Sequence, residues 1–112
     1  MNNQVIEKSV AEMKINALKE LPNIISNIYL YGSCARGDYN ENSDIDVLII
    51  IDCPEKQLAE YTDKLLDISD KISMENDVIL SLQTSAKSEW LKNQKHSLYY
   101  RNILQEGKVY YG

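Results

Sequence analysis

Cysteine, histidine, proline and glycine are all scarce: two, one, two and four residues in a chain of 112. Cys34 and Cys53 make neither a disulfide framework nor a zinc spacing, which points to a reduced, cytoplasmic compartment. His96 has no partner in the pattern and reads as structural or exposed. An excess of basic charge is also missing. Lys and Arg number 12 against 17 Asp and Glu, a net charge of −5. A free-standing nucleic-acid binder needs a basic face to displace phosphate counterions, so direct nucleic-acid binding is not expected. The longest apolar run, Val47 to Ile51, is far short of the roughly 20 residues of a membrane span. The first ten residues contain Glu7 and lack the apolar core of a signal peptide. There are no repeats and no linker, and the length suits one domain over 1–112.

What is present is regular. Ile6, Val10, Met13, Ala17 and Leu21 mark one face of a helix, capped by Asn2 or Asn3 and stopped by Pro22. Asn27 to Tyr31 is β-branched and aromatic and reads as a strand ending at Gly32. A short helix over Ser33 to Arg36 and an irregular loop follow. Val47 to Ile51 is continuously apolar, the mark of a strand covered on both faces. Leu58, Tyr61, Leu65, Ile68 and Ile72 predict a helix from about Pro54 to Ile72. Asp77 to Leu82 reads as a third strand. Ser85 or Ser88 is expected to cap a short helix through Trp90. Ser97 to Glu106 predicts a last helix with Gly107 past its end, and Val109 to Tyr111 a terminal strand. The order is that of one α/β or α+β domain.

The chemistry concentrates between Gly32 and Asp46. Asp44 and Asp46 stand two apart at the start of a strand, so both carboxylates face one side. They repel unless a cation lies between them, and hard oxygen donors select Mg²⁺ or Mn²⁺. An isolated Asp-x-Asp is equally at home on a strand edge. Asp38, Asn40, Asn42 and Asp44 follow the first half of a calcium-binding EF-hand loop. Ser43 takes the place of its glycine, however, and Ile49 that of its bidentate glutamate. Gly32-Ser33 closes one strand and opens a helical turn, where free backbone N–H groups favour phosphate. An ordinary serine-capped turn would look the same. Both pieces make sense together around a metal-bound triphosphate.

Gly32-Ser-Cys-Ala-Arg-Gly37 followed by Ser43-Asp-Ile-Asp-Val47 resembles the signature of the minimal nucleotidyltransferases of the DNA polymerase β-like superfamily. Cys34 stands where many relatives carry arginine. The resemblance implies a nucleotidyltransferase fold, a small mixed sheet with helices packed on it. It implies transfer of AMP from ATP to a hydroxyl, with two Mg²⁺ ions held by Asp44, Asp46 and a third carboxylate. Asp77 matches that third position at the head of a strand, with Glu75 as runner-up. Gly32 and Ser33 would hold the β- and γ-phosphates, and Arg36 could reach another.

The chemistry also constrains topology. Gly32 and Asp44 converge only if the first two strands are antiparallel. Asp44 and Asp77 converge only if the second and third are parallel, with the long helix as crossover. A mixed sheet with helices on one face follows.

Larger relatives carry a helical second domain for the acceptor, so an acceptor site from a partner is expected. The resemblance implies a HEPN-type helical toxin, modified on a tyrosine by this chain as antitoxin. Two alternatives stay open. One is an antitoxin acting by contact alone. The other is a transferase for small molecules such as aminoglycosides, for which a homodimer would have to supply the pocket.

Overall fold

In a computed structural model describing residues 1–112, the first helix, α1 (Asn3–Glu20), starts where the sequence predicts. The Asn2 side chain caps it by accepting the Val5 backbone N–H at 3.0 Å. The chain continues through β1 (Ile25–Tyr31), α2 (Ser33–Arg36), β2 (Ile45–Ile51), α3 (Leu58–Asn76), β3 (Leu80–Ala86), α4 (Lys87–Asn93), α5 (Leu98–Glu106) and β4 (Lys108–Tyr111). The four strands form one sheet in the order β3-β2-β1-β4. β1 is antiparallel to β2 and to β4, and β2 is parallel to β3, as the convergence argument requires. No helix is long and apolar enough to cross a membrane.

Two boundaries differ from expectation around the crossover. Pro54 keeps an extended ψ of 140°, so the helix does not begin there; a 3₁₀ turn over Glu55–Gln57 intervenes. At the other end α3 runs to Asn76 rather than Ile72. Its last turn buries no side chain beyond Ile72, and apolar spacing cannot reveal it. A polar clamp holds it instead. The Asn76 amide donates to Ser9 Oγ (3.0 Å) and Glu12 Oε1 (2.8 Å), and its oxygen accepts from Lys8 Nζ (3.0 Å). The third strand consequently starts at Leu80. α4 also differs: neither Ser85 nor Ser88 caps it, and Ala86 is its N-cap.

Alternation along the strands creates two unlike faces. On one, Ile28, Leu30, Ile45, Val47, Ile49 and Ile51 pack against Val10, Met13 and Ala17 of α1 and Leu65 and Ile72 of α3. On the other, Tyr29, Leu48 and Ile50 pack against Trp90 of α4 and Ile103 of α5. Helices therefore cover both faces, as the apolar run of β2 predicts and unlike the single covered face expected from the convergence of the site residues. The continuous apolar run of β2 is the physical reason, since it leaves Leu48 and Ile50 to be buried on the second side. The Trp90 ring lies 5.5 Å from Tyr29 and 4.7 Å from Tyr100.

Candidate active site

Tyr31, the last residue of β1, pairs with Asp46 across the antiparallel ladder. The next residue, Gly32, has φ 73° and ψ −158°, a conformation essentially restricted to glycine. This turn delivers the chain into α2, where the Ala35 and Arg36 N–H groups both donate to the Gly32 carbonyl at 3.1 Å. A Cβ at position 32 would run into the Asp46 carboxylate. The glycine is thus required twice, by its φ and by the close approach of the acid. Gly32-Ser33 and the aspartate pair, read separately in the sequence, are one contiguous site.

Asp44, the residue before β2, is exposed, and Asp46, the second residue of β2, is half-buried. Burial, and then the charge of Asp44, push the Asp46 carboxyl above its ordinary value, and Arg36 partly offsets them. The backbone beneath the pair is fixed on both sides. The Asp44 carbonyl accepts from the Cys34 thiol at 3.4 Å, and the Ile45 N–H donates to the Ile79 carbonyl at 2.8 Å. Cys34 is buried, and its thiol is raised by desolvation first and by Asp46 second. Position 34 therefore supports the acid loop from below rather than reaching outward.

Arg36 is exposed and already engaged, donating to Glu106 of α5 at 3.2 Å and to Asp38 at 3.4 Å. A phosphate would compete with two carboxylates for it.

Asp77 is the correction. It is the C-cap of α3 in the left-handed conformation, φ 54°, not the head of a strand. It lines a cleft of about 680 Å³ with Met1, Glu41, Ser43 and Asn76, a cleft that neither Asp44 nor Asp46 lines. Glu75, the runner-up, lies on α3 beside Lys71 at 3.9 Å. No three acidic, histidine or cysteine side chains stand together as a metal centre. The residue beside Asp46 on parallel β3 is Ser81. Its place follows only from knowing that α3 ends at Asn76. The donors at hand still fit a hard divalent cation. Two carboxylates stand close enough for the charge of Asp44 to raise Asp46, neither thiolate nor imidazole competes, and the Asp46 carboxylate abuts the Gly32 turn.

The sequence places Tyr31 at the end of a strand and Tyr99 inside a helix, with no functional signal at either. The structure joins their hydroxyls by a 2.7 Å hydrogen bond at the rim, with the rings edge-to-face. Nothing in the local pattern signals this, because α5 reaches the site through tertiary packing alone.

The nucleotidyltransferase domain family matches residues 12–111. A Methanocaldococcus jannaschii protein named as a protein adenylyltransferase is 38% identical over 94% of this chain and 97% of its own length. A spectinomycin 9-adenylyltransferase of Staphylococcus aureus is 31% identical over 70% of this chain but only 30% of itself. Among solved structures, a toxin–antitoxin complex with AMP-PNP aligns over 89% of this chain and 71% of its own, at 20% identity and a TM-score of 0.54. A nucleotidyltransferase structure from Sulfolobus solfataricus aligns over 98% and 88%, at 16% identity and a TM-score of 0.52. With a strand-end glycine turn seated against an Asp-x-Asp on a mixed sheet, the chain belongs to the nucleotidyltransferase domain family.

Proposed function

We propose that this chain is an antitoxin that transfers AMP from ATP to a tyrosine hydroxyl of a helical, HEPN-type toxin partner in the cytoplasm. The observation that supports this is the close approach of the Asp46 carboxylate to the Gly32 turn, an acid suited to a hard cation beside a turn suited to phosphate. The relative named as a protein adenylyltransferase supports a protein acceptor, since it matches this chain over nearly the whole of both lengths. A fold neighbour solved as a toxin–antitoxin complex is in keeping with the partner class.

In this reading Asp44 and Asp46 would hold Mg²⁺, for which Mn²⁺ can substitute. Bound there, such ions would supply Lewis-acid activation of the acceptor hydroxyl and charge neutralisation at the leaving pyrophosphate. Gly32 and Ser33 bind the β- and γ-phosphates through backbone N–H groups and the serine hydroxyl. Arg36 exchanges Glu106 for phosphate. Asp77, placed on a different cleft, is left out of this site.

The test is incubation with Mg²⁺, ATP and the co-purified partner, read by intact mass. The expected result is one or more AMP units on a partner tyrosine. None should appear with Asp44→Asn, Asp46→Asn, and negligible transfer to aminoglycosides should occur. A silenced partner without any adduct would instead establish inhibition by contact alone.

A further inference from the structure

We infer that Tyr99 is an internal acceptor: without its partner, the chain transfers AMP from bound nucleoside triphosphate to its own Tyr99 hydroxyl. The inference rests on the proposed transferase reading and concerns where that activity goes when no partner is present. Tyr99 lies in the first turn of α5 and is 43% exposed, with Leu98 beside it 64% exposed. Its hydroxyl is 2.7 Å from that of Tyr31, the ladder partner of Asp46. Tyr31, Gly32, Arg36 and Tyr99 together line a cavity of about 160 Å³. The Gly32 turn and Tyr99 therefore border the same cavity.

The other tyrosines are placed differently. Tyr29 is buried, Tyr100 donates to Ser85, Tyr39 donates to Asn3, Tyr61 and Tyr110 pack against the core under α1 and α3, and Tyr111 lies beneath Lys14. Tyr31 shares the cavity, yet it is held in a strand and paired with Asp46 across the ladder. Tyr99 is carried on the first turn of α5, where it and Leu98 are exposed. α5 is already coupled to the site at its far end, where Glu106 holds Arg36 at 3.2 Å. Nucleotide that takes Arg36 from Glu106 loosens the same helix that presents Tyr99. In the step, the phenolic oxygen forms a bond to the α-phosphorus and the bond from that phosphorus to the β-bridging oxygen breaks. Pyrophosphate leaves with the electron pair, and the phenolic proton passes to water.

The experiment uses the purified full chain with ATP and Mg²⁺ and no partner, read by intact mass and fragmentation. The expected result is a single AMP unit on Tyr99, with a rate per chain that is unchanged by dilution. Tyr99→Phe should abolish it. Tyr31→Phe, which loses the same hydrogen bond but keeps the Tyr99 hydroxyl, should still be modified. An adduct elsewhere, an adduct persisting in Tyr99→Phe, a rate proportional to concentration, or no adduct would each overturn the inference. A parallel incubation with the partner separates the two readings. Transfer to the partner without self-modification sinks only the internal acceptor, whereas no transfer in either arm sinks the transferase reading as well.

Discussion

The two faces of the sheet are built from different chemistry. The face under α1 and α3 is aliphatic, closed and deep, with Val10, Met13, Ala17, Val47, Ile49 and Leu65 fully buried. The face under α4 and α5 is a small aromatic cluster around Trp90 that opens onto Asp46, Tyr31 and Arg36 at one rim. Apolar burial stabilises in proportion to area removed from water, so the first face carries most of the folding free energy. The second face keeps hydroxyls, carboxylates and backbone within reach of a ligand. Stability and chemistry are thus largely divided across the thickness of one sheet, and substitutions should separate along that division.

The largest separation is expected on the closed face. Met13→Ala or Leu65→Ala removes a fully buried side chain and should cost about 2–5 kcal/mol in urea denaturation. Nucleotide binding per folded molecule should stay near wild type. On the open face the pattern reverses. Asp44→Asn or Asp46→Asn should lower AMP transfer at least about a hundredfold, since metal positioning dominates this chemistry. The melting temperature should hold or rise, because repulsion between the two acids is relieved. Unfolding of either variant would make the pair structural and erase the distinction between faces.

Gly32→Ala sharpens the comparison because the residue belongs to the junction. Its backbone conformation alone should cost about 1–3 kcal/mol, read as a shift in the denaturation midpoint. Pushing the Asp46 carboxylate aside should cost transfer activity as well. A variant that lost neither would show the turn to be remote from the acid pair.

The smallest expected effect is in pH dependence. Asp46 has a raised folded pKa, so its contribution to stability is fully present below the unfolded carboxylate value and is lost as pH rises through the raised one. Thermal melts of metal-free wild type and Asp46→Asn should converge in acid and diverge toward neutrality, with wild type the lower. Mg²⁺ with ATP should close that gap. A gap that widened in acid would reverse the sign assigned to Asp46.

How far the sequence could be read depended on whether a residue's role was local. Ile6 through Leu21 declares α1 because the burying face repeats at helical spacing. Asp44 and Asp46 declare their shared direction because strand alternation is a two-residue rule. The end of α3 was illegible, since Asn76 is held by side chains 64 to 68 residues away rather than by apolar spacing. Moving that boundary by four residues took Asp77 off the strand and placed Ser81 beside Asp46. Tyr99 was invisible for a related reason: its neighbour Tyr31 is 68 positions distant.

The sheet order has a consequence for synthesis. β1, whose end leads into the Gly32 turn, lies between β2 and β4, and β4 is made after the other three. A chain emerging from the ribosome can pair β1 with β2 early, but the other edge of β1 keeps free N–H and C=O groups until β4 arrives. Gly107 is the hinge of that closure. A Cβ there would meet the carbonyl oxygens of Ile103 and Leu30, so α5 can turn into β4 this tightly only through glycine. Because α5 also carries Tyr99 and Glu106, the final strand to dock seats the helix that borders the site, and a nascent chain acquires its complete cleft only at the end of folding.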